Sequence, residues 1–534
     1  MMKINISKIK RFALPLFFIF LGSIFALGSS PIYVTNPWDD TNAMLTMGRA
    51  LTHGIIPFKD LVDQRGPILY FLFSFASLIK GNSFFGVFFI ELINLLIVYF
   101  LTYRILQVIG KSSRQNEWYS LIGPIILIGN STFNLGGAPE EFAFTSVLFL
   151  FYVIIRFNHD LLEINERYLF LLGLNFAIVF WNKYSMAGPF LVFFLLLSVH
   201  SVNKMNFREF IKNKFLPAFY GFASISFIII LFFLFSGGLV DLIKVYFIEN
   251  LSYGHTPGTL IHRYFSTMSY ITIIVGRHIY ILFMIFVGWF IASREKVNIF
   301  PEIYITVGSI LVMAIPQQYT DYYNMIWLPV LIVSVIRIMV KIFNRNELDT
   351  NLIGKYAKFL IVIMLVCLPF SNNIDLGRLI VKGNEKARDY GTRDAQKQFG
   401  EIMNFKKHDK HPSLVMLNSL DDGFFLSAKT LPTTRYWHKL NMTRSQMPEM
   451  YEDFNKTLKY EKVEFVVVKL NERPAMNIKR LKKQVVQNVD DSLQKNLQQN
   501  YDISAIASNR DNIGYVLLQN KKTEKNTNYL STLN

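Results

Sequence analysis

Cysteine is nearly missing from this chain: one thiol, Cys367, stands among 534 residues. No disulfide and no cysteine-based metal site can form within one molecule. Histidine is sparse as well, with nine in all. His53, His255 and His262 are scattered over what is read below as the outer side, so no histidine cluster decides for or against a metal. No internal repeat is apparent, whereas secondary transporters are commonly built from paired repeats. Acidic residues are the scarcer sign, 38 against 55 basic ones, for a net charge of +17. In a soluble domain that excess would raise nucleic acid as a partner. Here much of it sits in short loops between apolar runs, which reads as membrane topology, and no nucleic-acid partner is expected.

Long apolar runs are what the chain has in abundance. Hydrophobic residues make up 52% of it, and the mean hydropathy is +0.30. The runs continue to about residue 372 and then stop. This predicts a polytopic α-helical membrane domain, 1–372, then a small extracytoplasmic α/β domain, 373–520, and a disordered tail, 521–534. The 50 Phe and 26 Tyr suit lipid-facing helices and interfacial belts, and none is assigned to a cofactor. In the C-terminal part, SLVML (413–417), EFVVVKL (464–470) and IGYVLLQ (513–519) read as strands, and 447–460 and 477–499 as helices. Its basic clusters, Lys406, Lys407 and Lys410, then Lys479, Arg480, Lys482 and Lys483, suit anionic lipid headgroups or an anionic polymer, or simply face water.

The predicted spans are 12–34, 83–109, 118–135, 140–157, 167–182, 184–201, 215–236, 277–293, 298–315, 323–341 and 356–372, about eleven helices in all. The first is too long for a signal-peptide core and lacks a clear cleavage site, so it reads as a retained helix. Pro67–Lys80 is apolar but has only 14 residues, about 21 Å against the roughly 30 Å of a hydrocarbon core. It is read as lying at, or dipping into, the outer interface. That choice keeps the basic loops at Lys8–Arg11, Lys111–Arg114, Lys204–Lys214, Arg294–Lys296 and Lys341–Lys355 on the cytoplasmic side. The N-terminus is then cytoplasmic. The first outer loop (35–66), the second (136–141), the 237–276 loop and the C-terminal domain lie outside a plasma membrane.

Polar groups concentrate in the first outer loop, PWDDTNAMLTMGRALTHGIIPFKDLVDQRGP (37–67). Met44, Met47 and Leu51 fall at i, i+3 and i+7, the spacing of a short amphipathic helix lying on the membrane and ending at His53–Gly54. Asp39, Asp40 or Thr41 can serve as its N-cap. One cap accounts for one residue. It leaves the second acid unexplained, and also the pair Glu140–Glu141 in GGAPEEF, on the same side at the same depth. Carboxylates converging on one membrane face suggest a base, a metal site or a cation path. Two cations join them, Arg65 in DQRGP and Lys183 in FWNKYSMAG. Both sit where a lipid phosphate would lie, and each could pair with phosphate or with an acid such as Asp63. Glu91, mid-span in FFIELINLL, must face the bundle and reads as a structural partner.

The order of these features resembles GT-C fold glycosyltransferases of the family 39 type. That group includes the protein O-mannosyltransferases, and the bacterial aminoarabinose transferases of lipid A are close to it. The matching pattern is the acidic pair Asp39–Asp40, a juxtamembrane helix with Arg49 and Gly54, and the turn Asp63-Gln64-Arg65-Gly66-Pro67 before the next helix. The acidic second loop at Gly136–Glu141, the later Lys183, and the aromatic turn QQYTDYYNMIWLP, which holds Tyr322, follow in order. The layout covers most of 1–372, but specific motifs cover only about the first 190 residues. This chain departs from the pattern at Arg65, usually Lys, and at Gly66, usually Pro. It also lacks the aromatic often found after the acidic pair, having Ala43 and Met44 there.

The resemblance implies transfer of a sugar from a polyprenyl-phosphate donor, with inversion, to a cell-surface acceptor such as a wall polysaccharide, a teichoic acid or a lipid. By position Asp39 is the base, and Asp40 caps the helix or orients the acceptor. Arg65 and Lys183 stabilise the leaving phosphate, with Asp63 and Tyr322 among the substrate-binding groups. Glu140 or Glu141 binds sugar hydroxyls, or a divalent metal if one is used; no other cofactor is implied. Membrane lipid surrounds the bundle, and the prenyl chain lies among its aromatics. Two rival readings are a polytopic transporter or lipid-linked sugar flippase, and a wall-polymer ligase or polymerase with a diphosphate-linked donor.

Overall fold

The computed structural model describes residues 6–33, 36, 38–110, 115–202, 204–250, 259–314, 320–345, 356, 358–364, 392–407, 411–508 and 513–524. Four helices open the chain: α1, Ile6–Ala26; α2, Asp39–Thr52; α3, Pro67–Ile79; and α4, Phe85–Ile109. In α4 the sequence sets the environment directly. Phe85, Phe89, Ile93 and Ile97 recur every fourth residue and are 41–46% exposed, while Glu91, Asn94 and Leu95 are buried on the opposite side. An apolar exposed stripe over a polar buried one is the pattern of a helix solvated by lipid.

By length and composition, Phe85–Ile109, Glu166–Met186, Phe207–Phe235 and Asp321–Ile342 are able to cross a membrane. Leu260–Arg277 and Ile279–Arg294 form a further apolar pair, bent by 82°. Pro67–Ile79, with 13 residues, is among the shorter apolar helices.

Several predicted stretches fold differently. The 12–34 span ends as helix at Ala26; Leu27–Ser30 turns, and the Gly28 N–H donates to the Leu135 carbonyl at 2.7 Å. The 118–135 span is three pieces, Asn116–Tyr119, Ile122–Ile128 and the turn Ser131–Phe133. Pro124 withholds a backbone N–H there, and Gly129–Asn130 ends the run. The predicted 237–276 loop contains helical turns over Leu239–Glu249 and the helix Leu260–Arg277, whose apolar residues are interleaved with His262, Arg263, Ser266 and Thr267. The first four residues of the predicted disordered tail, Lys521–Glu524, form a helical turn. Cys367, Lys111, Arg114, His255, Lys410, the 372/373 boundary, most of the 356–372 span and residues 525–534 lie outside the described residues.

The C-terminal part is the α/β unit that its alternation predicts. Strands β1 (Leu414–Met416), β2 (Phe465–Leu470), β3 (Tyr501–Ser508) and β4 (Gly514–Asn520) form one sheet in the order β1-β2-β4-β3. β1 runs parallel to β2, and the other pairs are antiparallel. Strand β3 was not predicted. The expected 477–499 helix is two, Ile478–Gln487 and Asp491–Asn500. Asp490 caps the second by accepting from the Ser492 N–H at 3.0 Å.

Helix α2 is enclosed by protein and leaves no free apolar face. Residues 41–50 are buried, because α3 covers one side and the α/β unit another. The Thr46 hydroxyl donates to Asp421 at 2.7 Å, and the Arg49 guanidinium reaches the Thr430 carbonyl at 3.3 Å. Gly48 rests against the Phe73–Ser74 backbone, where a Cβ would collide. The cap also differs from expectation. Trp38 is the N-cap, without a side-chain bond, and Asp39 and Asp40 fill the first turn, where unpaired N–H groups favour negative charge.

Candidate functional site

Pro67 starts α3 at its first turn, and the preceding Gly66 turns the loop back onto the end of the helix Glu166–Lys183. The Gly66 N–H donates to the Asn182 carbonyl at 3.2 Å. A Cβ at Gly66 would strike the Trp181 and Asn182 carbonyls. Glycine at this position thus supplies both the N–H, which a proline would lack, and the close approach. This joint brings Arg65 and Lys183, distant in sequence, to one cleft. Asp40, Glu140, Asn182, Tyr322 and Tyr323 line it, with Asn441 from the α/β unit.

Each cation is held by acids. The Arg65 Nη1 donates to both Asp63 oxygens, at 2.8 and 2.7 Å, and Nη2 is paired with Asp40. Burial alone would weaken the Arg65 charge; Asp40 and Asp63 reverse that and hold its pKa well above the ordinary value. Lys183 is paired with Glu140 and sits 3.9 Å from the Tyr323 ring centre and 5.4 Å from that of Tyr322. Tyr322 leans edge-on against Trp38 at 5.9 Å, just before the acidic pair. The second oxygen of Glu140, Oε2, is buried and has no hydrogen-bond partner.

The structure separates the residues of each acidic pair. Asp40 faces the cleft, while Asp39 faces Asp422 and Lys469 of the α/β unit. Burial, then the charges of Asp40 and Asp422, push the Asp39 carboxyl up to about 7, against the pull of Lys469 and Arg65. Lys469 itself pairs with Asp422 at 3.3 Å. Glu140 is in the cleft, but Glu141 turns into the bundle. It accepts from the Gly137 N–H at 2.7 Å and from Asn94 at 3.1 Å, beside Glu91. Glu91 is fully buried and takes a hydrogen bond from Ser29, as a structural partner would. Asp63 stands behind Arg65. His53 bonds at the end of α2, and His262 belongs to the helix Leu260–Arg277; neither lines the cleft.

The donor set does not suit a divalent metal. Among the described residues no three His, Cys, Asp or Glu converge. Asp40, Asp63 and Glu140 already face protein cations, which would compete with a metal for the same oxygens.

The contributions of the α/β unit were not foreseen. Asp422, Lys469, His438 and Asn441 carry no local motif, and only folding brings them to the loop. Asn182 and Tyr323, by contrast, adjoin the predicted Lys183 and Tyr322.

The sequence matches no family model, and no curated protein matches it. Solved structures do share its fold. ArnT from Cupriavidus metallidurans in the apo state superimposes with a TM-score of 0.57 at 7% identity, over 94% of this chain and 97% of that one. ArnT from the same organism bound to undecaprenyl phosphate gives 0.54 at 9% identity, over 96% and 98%. At such identities the likeness speaks for the fold, which is the helical GT-C plan expected from the outer loops, with the small C-terminal sheet expected from the alternation of the C-terminal part.

Proposed function

We propose that the protein is a membrane glycosyltransferase that moves a sugar from a polyprenyl-phosphate donor to a hydroxyl of a cell-surface polymer or lipid on the outer face of the plasma membrane. The observation that carries this reading is the convergence of Arg65 and Lys183 on one cleft where apolar helices meet the α/β unit. Two cations backed by carboxylates suit a phosphate monoester whose charge grows as it leaves. ArnT, whose fold this chain shares, has been solved with undecaprenyl phosphate bound. The charge bias of the basic loops supports an N-terminus inside and a cleft and α/β unit outside.

In this mechanism Arg65 and Lys183 bind the donor phosphate, and the free Oε2 of Glu140 accepts a sugar hydroxyl. The acceptor oxygen attacks the anomeric carbon opposite the phosphate. The carbon–oxygen bond to phosphate breaks with its electron pair going to the phosphate, and the acceptor, entering from the side of the α/β unit where half-buried Asp39 stands next to the cleft residue Asp40, gives its proton to Asp39. A base near 7 is matched to that task at neutral pH. Asp40 keeps Arg65 in place from the cleft side. Protein cations supply the charge stabilisation, so no step passes through a metal.

The test is release of undecaprenyl phosphate from synthetic undecaprenyl-phosphate sugars by protein reconstituted in vesicles supplied with cell-surface polymer and lipid extract as acceptor, beside sugar analysis of surface polymers from cells carrying wild type, Asp39→Asn or Asp40→Asn. Release by wild type, and loss of one surface sugar in a variant, are expected. Release of undecaprenyl diphosphate from diphosphate-linked donors, with none from monophosphate-linked ones, would move the assignment to a polymer ligase. No release, together with unchanged surface sugars in both variants, would refute transfer and favour transport.

A further inference from the structure

The segment Arg435–Asn441 of the α/β unit lies along the first outer loop. The Val62 N–H donates to the Arg435 carbonyl at 2.9 Å, the Arg435 guanidinium reaches the Phe58 carbonyl at 3.3 Å, and Asn441 lines the cleft. Between these contacts stands His438, fully buried and stacked on Trp437 with ring centres 3.7 Å apart. Its Nδ1 accepts from the Asp421 N–H at 3.3 Å, which places the ring proton on Nε2. Nε2 has no hydrogen-bond partner and stands 3.8 Å from Asp63 Oδ2, somewhat beyond hydrogen-bond length. Burial, then the nearby Arg65 guanidinium, hold the imidazole well below its ordinary pKa, so the ring is neutral and adds no charge to the cleft. A neutral donor is what this place requires. It can steady Asp63 without competing with Arg65 for the donor phosphate.

We infer that His438 is a positioning residue supplied by the α/β unit: its Nε2–H steadies Asp63, the carboxylate that orients the Arg65 guanidinium toward the phosphate. This rests on the reading of Arg65 as a phosphate ligand given above. The phosphate grip is therefore completed by the extramembrane unit, although both its cations come from the membrane part. When phosphate draws Arg65 forward, Asp63 loses part of its charge partner, and the Nε2–H closes on the oxygen it already faces.

The probe is binding of undecaprenyl phosphate, the product, to full-length protein in detergent. It needs neither the sugar nor the acceptor. His438→Phe keeps a ring against Trp437 and removes the donor; His438→Gln removes the ring and keeps an N–H that reaches Asp63. With melting temperature near wild type, Phe should weaken binding about tenfold, and Gln should stay within about threefold. Equal losses, or no loss in Phe, would overturn the inference. Should Phe unfold the protein, His438→Asn replaces it. Asn retains the bond to the Asp421 N–H, falls short of Asp63, and must bind about tenfold more weakly than Gln. Arg65→Ala separates the two proposals. If it leaves binding unchanged, the phosphate reading itself fails; if it weakens binding and the His438 variants do not differ, only the role of His438 fails.

Discussion

As the base proposed above, Asp39 would tie transfer to pH in a way that can be tuned from outside the membrane part. Its carboxyl is held at about 7, and only the ionised form can take the acceptor proton. Transfer measured as kcat/KM should therefore rise through about pH 7 and level off above it. The two groups of the α/β unit act with opposite signs. Lys469 favours the carboxylate, so Lys469→Met should move the midpoint up. Asp422 disfavours it, so Asp422→Asn should move it down. The same substitution also frees Lys469 from its 3.3 Å partner, which acts in the same direction. A nearby charge moves a carboxyl by about one pH unit or more, which puts the midpoints near ~8 and ~6. At pH 7 the ionised fraction would fall from about one half to about one tenth in Lys469→Met, a loss of about fivefold, and would approach completion in Asp422→Asn. Both variants should regain wild-type rates at high pH. The assay is release of undecaprenyl phosphate from a labelled donor in vesicles across the pH range, with melting temperatures to exclude misfolding. A common midpoint for all three proteins, or a downward move in Lys469→Met, would refute the assignment of Asp39 as base.

The other expectations concern the phosphate grip and the fold. Arg65→Ala and Lys183→Ala should each slow release by about 10²–10³-fold with a fixed donor, read in the same assay. Gly66→Ala should cost about 1–3 kcal/mol of stability, because the new methyl strikes the Trp181 and Asn182 carbonyls; denaturant titration in detergent would report it. Glu302→Ala strands the buried Arg337, which donates to Glu302 at 2.8 and 2.6 Å, and should cost about 3–5 kcal/mol, again by denaturant titration. Chelation with EDTA should leave the release rate unchanged, since the cleft carboxylates are engaged by Arg65 and Lys183.

The sequence shows the membrane half of the cleft plainly. Charged residues at the ends of apolar runs have few reasons to be there, and sidedness alone brings Asp40, Arg65, Glu140 and Lys183 to one level. It does not show the orientation of neighbours. Asp39 and Asp40, like Glu140 and Glu141, are about 100° apart on their helices, so one of each pair faces the cleft and the other faces elsewhere. The amphipathic spacing of α2 suggests a membrane surface, yet Ala43 and Leu45 bury the intervening faces against α3 and the α/β unit. His438 and Lys469 are not legible at all, because long-range docking of ordinary-looking segments puts them in place. The helix Leu260–Arg277 is missed because its polar residues interrupt the apolar run.

The joint at Gly66 makes the main chain a gauge. Arg65 and Lys183 each adjoin a residue of the same backbone hydrogen bond, Gly66 N–H to the Asn182 carbonyl at 3.2 Å. The separation of their main-chain atoms is thus set by peptide geometry, which tolerates little variation, while Asp63, Asp40 and Glu140 place the charged ends of the side chains. Under the proposed function, a substitution at Asn441, which lines the cleft from the α/β unit without touching either cation, would alter what is held beside the phosphate while this backbone spacing stays the same. If the proposed function holds, such a cleft would offer a fixed handle for the common part of many lipid-linked donors and leave its walls free to change.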